Sequence, residues 1–545
     1  MRPKRHRPVR RWLVVLCVLT LLAGCAGKET LIKSEPPPAA TTAPSPAAPS
    51  SSAPSSSASS QPSGGEASTE PGGRKVLPIP DVEPEGFREP PPGIGLERYL
   101  GQEVDWTSCQ GGTECAEIAV PLDHADPDGQ AITLALRRAR TSGTSRGTIF
   151  VNPGGPGGSG WSMVGQYAGG LFGYDVIGWD PRGVGRSTPV QCQNGADLDA
   201  YYDLDSTPDD VAEEKAMDEG NRAFAESCLA GSGRLLEHVS TVETVTDLDL
   251  MRQLVGDEKL HYLGYSYGTE IGAVYAQLFG QNVGHLVLDS AVNITDDDSV
   301  IQSQGFDRAL GNFAEWCAAG NCSLGDDRSA VINSVTELWA DLEAEPLPVG
   351  RRQLTQSLAV LGTLVPLYQD EGAWPYLAQA LEAARAGDGE MLLGFADSYN
   401  ERGSDGRYGQ MLYGFNAVRC LDEADDGVEG AKRQAAEDAK KSPIFGANSG
   451  ADLVCPMWPV AAREPVGKIT GPEVTEPILV IGTTGDSATP YEYAQSMASQ
   501  LRTGVLLTFE GEGHGAFGGG NACLDGAVRD YFVNDRPPPE GTRCS

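Results

Sequence analysis

The string His261-Tyr-Leu-Gly264-Tyr-Ser266-Tyr-Gly268-Thr269 puts Gly-x-Ser-x-Gly directly after an apolar run and before a helical pattern. In a chain with 68 glycines the bare string means little; the strand–turn–helix context gives it weight. Small residues two places before and after Ser266 let the chain turn sharply without a Cβ clash, and the hydroxyl is presented at a helix N-terminus. Such a serine needs a base, and the base an orienting carboxylate. There are six histidines. His6 lies in the basic N-terminus, His124 in the turn Asp123-His-Ala-Asp-Pro-Asp, His238 in a loop, and His261 and His285 within apolar runs. Only His514 follows the last run, in the flexible setting Gly511-Glu-Gly-His514-Gly-Ala, where the order nucleophile, acid, base requires it. The acid expected after the penultimate run is Asp486, in Gly482-Thr-Thr-Gly485-Asp486-Ser-Ala-Thr489-Pro490. Were Asp486 only a helix cap, Asp525 or Glu512 would have to serve.

A second Gly-rich string, Asn152-Pro-Gly154-Gly155-Pro156-Gly157-Gly158-Ser-Gly160, follows the run ending at Val151. It lacks the Lys and Ser/Thr of a phosphate-binding loop. Beside a serine nucleophile its use is different: backbone N–H groups turned toward a tetrahedral oxyanion. The donors expected are Gly155, with Gly154 the less favoured choice, and Tyr267, the residue after the nucleophile.

These groups must be held by strands and helices. Apolar β-like runs fall at 116–120, 132–136, 147–151, 174–178, 260–263, 285–288, 478–481 and 504–508. Several are nearly continuous, as in strands buried on both faces. Helical patterns at 244–255 and 269–279 lie between runs. Alternation of this kind predicts an α/β protein with a mostly parallel sheet and helices on both faces. A long gap separates the runs at 285–288 and 478–481, with helical patterns at 309–319, 329–343, 374–386 and 410–418. We read 93–292 and 471–545 as two parts of one core and 293–470 as a mainly helical cap inserted between them.

The N-terminus sets the compartment. Six Lys or Arg within residues 2–11 precede an apolar run from Trp12 to Leu22. That run is too short for a bilayer span of roughly 20 residues but fits a secretory signal. The run ends Leu22-Ala23-Gly24-Cys25, which resembles the lipobox of bacterial lipoproteins; residues 1–24 then form the signal peptide and Cys25 carries lipid. Residues 25–92, rich in Pro, Ser and Ala, read as a disordered tether with a reach of roughly 40 Å or more. The formal net charge of −34 argues against nucleic acid, which needs a basic footprint. Apart from Cys17 and Cys25, ten cysteines remain, and in an exported chain disulfides are the expectation. Their spacing suggests local pairs: Cys109 with Cys115, Cys192 with Cys228, Cys317 with Cys322, Cys420 with Cys455 and Cys523 with Cys544. No metal site or cofactor is expected, and the oligomeric state is left open.

Taken in order, the Asn152–Gly160 string, Gly178-Trp-Asp180-Pro-Arg182-Gly183-Val-Gly185-Arg-Ser187, Gly264-Tyr-Ser-Tyr-Gly-Thr, Asp486-Ser-Ala-Thr-Pro490 and Gly513-His514-Gly resemble the proline-iminopeptidase-like serine peptidases, and most closely the actinobacterial tripeptidyl aminopeptidases. The resemblance covers residues from about 105 to 545. It implies the α/β-hydrolase fold, the triad Ser266, Asp486 and His514, and an exported, lipid-anchored serine exopeptidase that takes short peptides from free N-termini. Local disulfides and lipobox anchors also occur in that family. Glu270 departs from the family pattern, which continues after the serine turn with apolar or aromatic residues. An amine at the substrate terminus needs a carboxylate. Asp422, in Asn416-Ala-Val-Arg-Cys420-Leu-Asp422-Glu423, resembles a family segment near the site, and with Glu270 is a candidate partner. A carboxylesterase or lipase would use the same triad, since fold does not fix substrate.

Overall fold

The computed structural model describes residues 68–69 and 74–545, except 296–297 and 464–465. The signal, Cys25 and most of the tether lie outside the described residues. Strands are numbered along the chain: β1 Ser68–Thr69, β2 Lys75–Val76, β3 Phe87–Arg88, β4 Thr107–Ser108, β5 Glu114–Pro121, β6 Ala131–Ala139, β7 Thr148–Asn152, β8 Asp175–Trp179, β9 Leu260–Tyr265, β10 Val283–Asp289, β11 Leu347–Val349, β12 Arg352–Leu354, β13 Ile478–Gly485, β14 Gly504–Glu512 and β15 Arg543–Cys544.

An eleven-stranded sheet runs in the order β15-β14-β13-β10-β9-β7-β8-β6-β5-β4, with β3 on β6. From β15 to β8 every neighbouring pair is parallel; β6, β5, β4 and β3 are antiparallel additions. The central strands alternate between two buried faces. Phe150, Tyr262, Leu288 and Val480 point into one core, shared with the helices Thr241–Leu254 and Tyr267–Leu278. Ile149, Val151, Leu263, Val287 and Ile481 point into the other, shared with the helix Ala522–Asn534. This double burial explains the near-continuous apolar runs, since neither face is left for polar side chains.

Between β10 and β13 the chain is mainly helical, and its packing is divided. Helices Gln302–Trp316, Arg328–Ala344, Gln356–Leu367, Trp374–Arg385 and Glu390–Tyr399 share a separate core that includes Leu310, Trp339, Leu381 and Phe445. Helix Met411–Asp422 does not belong to that core. Its Tyr413, Ala417, Val418, Cys420 and Leu421 pack with the main sheet cluster, as do Trp458 and Val460. The segment from Arg74 to Pro92, assigned to the tether on composition, also lies against the folded unit. Arg74 is 2% exposed. Its guanidinium donates to the Cys420 carbonyl (2.7 Å) and pairs with Asp425.

Five disulfides join the pairs that spacing suggested, with Cα separations of 5.8, 4.1, 4.9, 4.8 and 5.6 Å in chain order. Such bonds persist in oxidising compartments, which fits a protein outside the cytoplasm. No helix of the described residues is long and apolar enough to cross a membrane.

Candidate active site

Ser266 stands between β9 and the helix Tyr267–Leu278, with φ 54° and ψ −128°. A non-glycine residue there is strained, and such strain persists only where the surroundings fix it. Here they do. The Ser266 N–H donates to the Asp289 carbonyl (3.0 Å), and the Thr269 N–H and hydroxyl both donate to the Ser266 carbonyl (2.8 and 2.6 Å). A Cβ at Gly264 would come within 2.3 Å of the Gly268 carbonyl, which is why the position two before the serine admits no side chain.

His514 follows β14. Its Nδ1 lies 3.0 and 3.1 Å from the two Asp486 carboxylate oxygens. That carboxylate also accepts from the backbone N–H of Ala488 (3.0 Å) and Thr489 (2.8 Å) and from the Thr489 hydroxyl (2.9 Å). The Thr489 oxygen in turn faces His514 Nδ1 at 3.2 Å. Asp486 is thus fixed from three sides while it fixes the imidazole, leaving Nε2 as the basic nitrogen. Burial works against a charged His514, but the charge and hydrogen bond of Asp486, with a smaller contribution from Asp289, outweigh it, so its pKa is raised above the ordinary 6.5. The two alternative acids are engaged elsewhere: Glu512 accepts from Asn312 (2.9 Å) and Asp525 from the Gly518 N–H (3.1 Å).

The loop bearing His514 is held from both sides. On the sheet side, Gly515 N–H donates to Ser290 Oγ (2.7 Å) and Phe517 N–H to the Asp289 carboxylate (2.7 Å). On the insertion side, His514 N–H donates to the Tyr368 carbonyl (2.8 Å), and the two rings meet edge-on at 5.6 Å. Asp289 and Tyr368 belong to no motif and were missed in the sequence. The one available signal for Asp289 was an acid closing an otherwise apolar strand beside the strand of the nucleophile.

The Gly-rich loop reaches the serine turn. An added Cβ at Gly154 would lie 2.5 Å from the Tyr265 carbonyl, 2.9 Å from Ser266 Cβ and 2.9 Å from the Tyr267 nitrogen. The Gly154 N–H is committed to Asn152 Oδ1 (2.8 Å). No hydrogen bond engages the Gly155 or Tyr267 N–H among the described residues, so these two are the donors left for an oxyanion. On its outer side the loop touches the helix Met411–Asp422, where a Cβ at Gly157 would strike the Met411 carbonyl at 2.4 Å.

The two candidate amine partners differ. Asp422 accepts from the Thr241 N–H at 3.0 and 3.1 Å and from the Thr241 hydroxyl at 2.6 Å, and so caps the helix Thr241–Leu254. The Tyr267 hydroxyl, 2.5 Å from the same Thr241 oxygen, completes a chain from Asp422 to the residue after the nucleophile. Burial chiefly pushes Asp422 up to about 6, although the Thr241 hydrogen bonds pull the other way. Glu270 is partly buried one turn beyond Ser266, and no hydrogen bond or ion pair reaches it among the described residues. Burial, then the charges of Asp422 and Glu423, push it up to about 8. It does not engage the Asp180/Arg182 loop; Arg182 is buried against Asp247, Glu243 and backbone carbonyls.

The other described histidines lie elsewhere. His124 bonds Asp247 (2.8 Å), and His261 and His285 stack together beside Asp535. One group with metal-ligand atoms within 4.8 Å of one another, Asp123, His238 and Glu243, occurs among the described residues. Two of its three members already face a guanidinium, Glu243 that of Arg182 (3.3 Å) and His238 that of Arg463 (3.0 Å).

Known proteins resemble this chain in sequence. The family described as TAP-like protein matches residues 442–544, the stretch that carries Asp486 and His514. The serine protease Hip1 of Mycobacterium tuberculosis is 35% identical over 488 residues, covering 82% of this chain and 92% of the relative. The chain belongs to the TAP-like family of α/β-hydrolase serine peptidases. Two other relatives of this TAP-like chain bear different names. A tripeptidyl aminopeptidase of Streptomyces lividans is 32% identical, covering 83% of this chain and 88% of its own. Carboxylesterase B of M. tuberculosis is also 32% identical, covering 82% and 91%.

Proposed function

We propose that Ser266, His514 and Asp486 are the catalytic triad of an exported aminopeptidase that removes short peptides, tripeptides in particular, from free N-termini. Ser266 Oγ attacks the scissile carbonyl, His514 takes its proton and passes it to the leaving amine, and water then hydrolyses the acyl-enzyme by the same route reversed. The Gly155 and Tyr267 N–H groups receive the oxyanion. Asp486 holds the imidazole tautomer and stabilises the imidazolium.

The observation that carries the aminopeptidase reading is Glu270, a carboxylate with no hydrogen-bond or ion-pair partner among the described residues, one helical turn from Ser266. An ammonium would supply the counter-charge that these residues do not. Asp422 stands behind it, adding negative potential while holding Thr241. The relative named tripeptidyl aminopeptidase supports this substrate class, and the relative named carboxylesterase makes ester hydrolysis the second reading. We further propose removal of residues 1–24, lipidation of Cys25, a tether that holds the enzyme at the membrane, and, within the insertion 293–470, a cap formed by the helices from Gln302 to Tyr399 that closes the far end of the cleft.

The test compares peptide arylamides with free and acetylated N-termini beside a short-chain ester. Glu270→Gln should lower kcat/KM for free-amine peptides by about 30-fold or more, the usual loss when one member of a desolvated charge pair is removed, and leave ester hydrolysis nearly unchanged. Equal cleavage of free and acetylated peptides would overturn the aminopeptidase reading in favour of the esterase.

A further inference from the structure

Asp289 ends β10 and Ser290 follows it; they are 0% and 1% exposed. The Asp289 backbone oxygen accepts from the Ser266 N–H at 3.0 Å, while its carboxylate accepts from Ala516 (3.0 and 3.3 Å) and Phe517 (2.7 Å) in the loop of His514. The Ser290 hydroxyl accepts from Gly515 N–H at 2.7 Å, and its own N–H donates to the Ile481 carbonyl at 3.1 Å, in the strand that leads to Asp486. Two successive residues therefore touch the serine turn, the base loop and the acid strand. Ser290 adopts φ 57°, a conformation disfavoured for a side-chain-bearing residue and kept only where its surroundings demand it. No cation pairs with Asp289 among the described residues.

We propose that Asp289 and Ser290 form a positioning clamp, which fixes His514 against Ser266 and places a second carboxylate behind the imidazolium. The proposal rests on the triad reading above. The two residues contribute differently. Ser290 supplies geometry alone, and Asp289 supplies geometry and charge. Around Asp289 lie Asp486, His514 and the phenols of Tyr167 and Tyr265; around His514 lie Asp486 and Asp289, with the neutral Thr489 and Tyr368. Burial pushes Asp289 up to about 6, against the pull of the Phe517 and Ala516 N–H groups; when ionised it favours a protonated His514.

The test follows the His514 imidazole by NMR in histidine-labelled, disulfide-intact protein, with kcat and KM on a short ester and organophosphonate labelling alongside. Asp289→Asn should move the His514 titration to lower pH and reduce kcat about 10- to 100-fold, since misplacement of a reacting group by about 1 Å costs on that order, with KM little changed. Ser290→Ala should reduce kcat but leave the titration where it was. An unmoved titration in Asp289→Asn, or wild-type kcat in Ser290→Ala, overturns the clamp; the second variant decides the matter if the first does not fold. If phosphonate fails to label Ser266 in the wild type, the triad reading itself falls and takes the clamp with it.

Discussion

Gly154→Ala tests whether the Gly-rich loop is catalytic machinery or only a turn. A methyl group there meets the Tyr265 carbonyl at 2.5 Å, about 0.9 Å short of ordinary contact, and meets Ser266 Cβ and the Tyr267 nitrogen at 2.9 Å. All three neighbours belong to the nucleophile turn, whose own strain leaves it little freedom to retreat, and the φ of +92° disfavours alanine in any case. The loop must therefore lift away from the serine, carrying the Gly155 N–H with it. Loss of one oxyanion donor costs about 2.7–4 kcal/mol, or roughly 10²–10³ in kcat. The assay is steady-state hydrolysis of an activated ester. KM should change little, because the contact is made in the transition state. Phosphonate labelling of Ser266 should persist but slow. Gly157→Ala is the control: its methyl strikes the Met411 carbonyl on the outer side, away from the serine turn, so kcat should fall less than in Gly154→Ala. A Gly154→Ala enzyme that folds and retains kcat within threefold would falsify the oxyanion assignment.

Ser266→Ala, His514→Ala and their double variant should show nearly equal residual turnover, since the residues act as a unit; additive losses in kcat would speak against the triad. Asp486→Asn should lower kcat about 10⁴-fold and shift the His514 titration downward, because Asp486 is the main group raising it; an unshifted imidazole signal would contradict this. The Glu270 carboxyl is raised from 4.5 to about 8, so the folded state binds its proton more tightly than the unfolded state. Its destabilising effect is absent below about pH 4.5, grows as pH rises to about 8, and then levels off. Glu270→Gln should therefore have a higher Tm than wild type at about pH 8–9, with the gap closing toward about pH 5; a gap independent of pH would refute the assignment. Replacing Cys192 and Cys228 by serine opens a closure of 36 residues and should cost about 3–4 kcal/mol in urea unfolding; wild-type stability would show the bond to be dispensable.

Where the sequence was informative, a local rule was at work. The serine turn, the Gly-rich loop and the doubly buried strands each follow from constraints spanning a few residues, so their types and spacing expose them. The six histidines allowed elimination to reach His514 because the base must come after the acid. What escaped was tertiary. Asp289 looks like any acid at a strand end until the loop of residues 514–517 folds over it. Helix Met411–Asp422 has an amphipathic pattern like its neighbours, and periodicity does not say which of two cores receives its apolar face. Arg74 sits in a segment whose composition predicts disorder, yet one guanidinium with several acceptors holds it down. Asp422, a candidate partner for a substrate amine, is also bonded to Thr241, a contact no local pattern announces.

The pairing of β10 with β13 has a consequence for biosynthesis. These strands are neighbours in the sheet although the whole helical insertion separates them in the chain. A ribosome therefore makes Ser266 well before Asp486 and His514. On the triad proposed above, Ser266 has neither His514 nor Asp486 until β13 and β14 dock. If that triad holds, proteolytic competence is acquired only in the final step of assembly, when the C-terminal strands join the sheet.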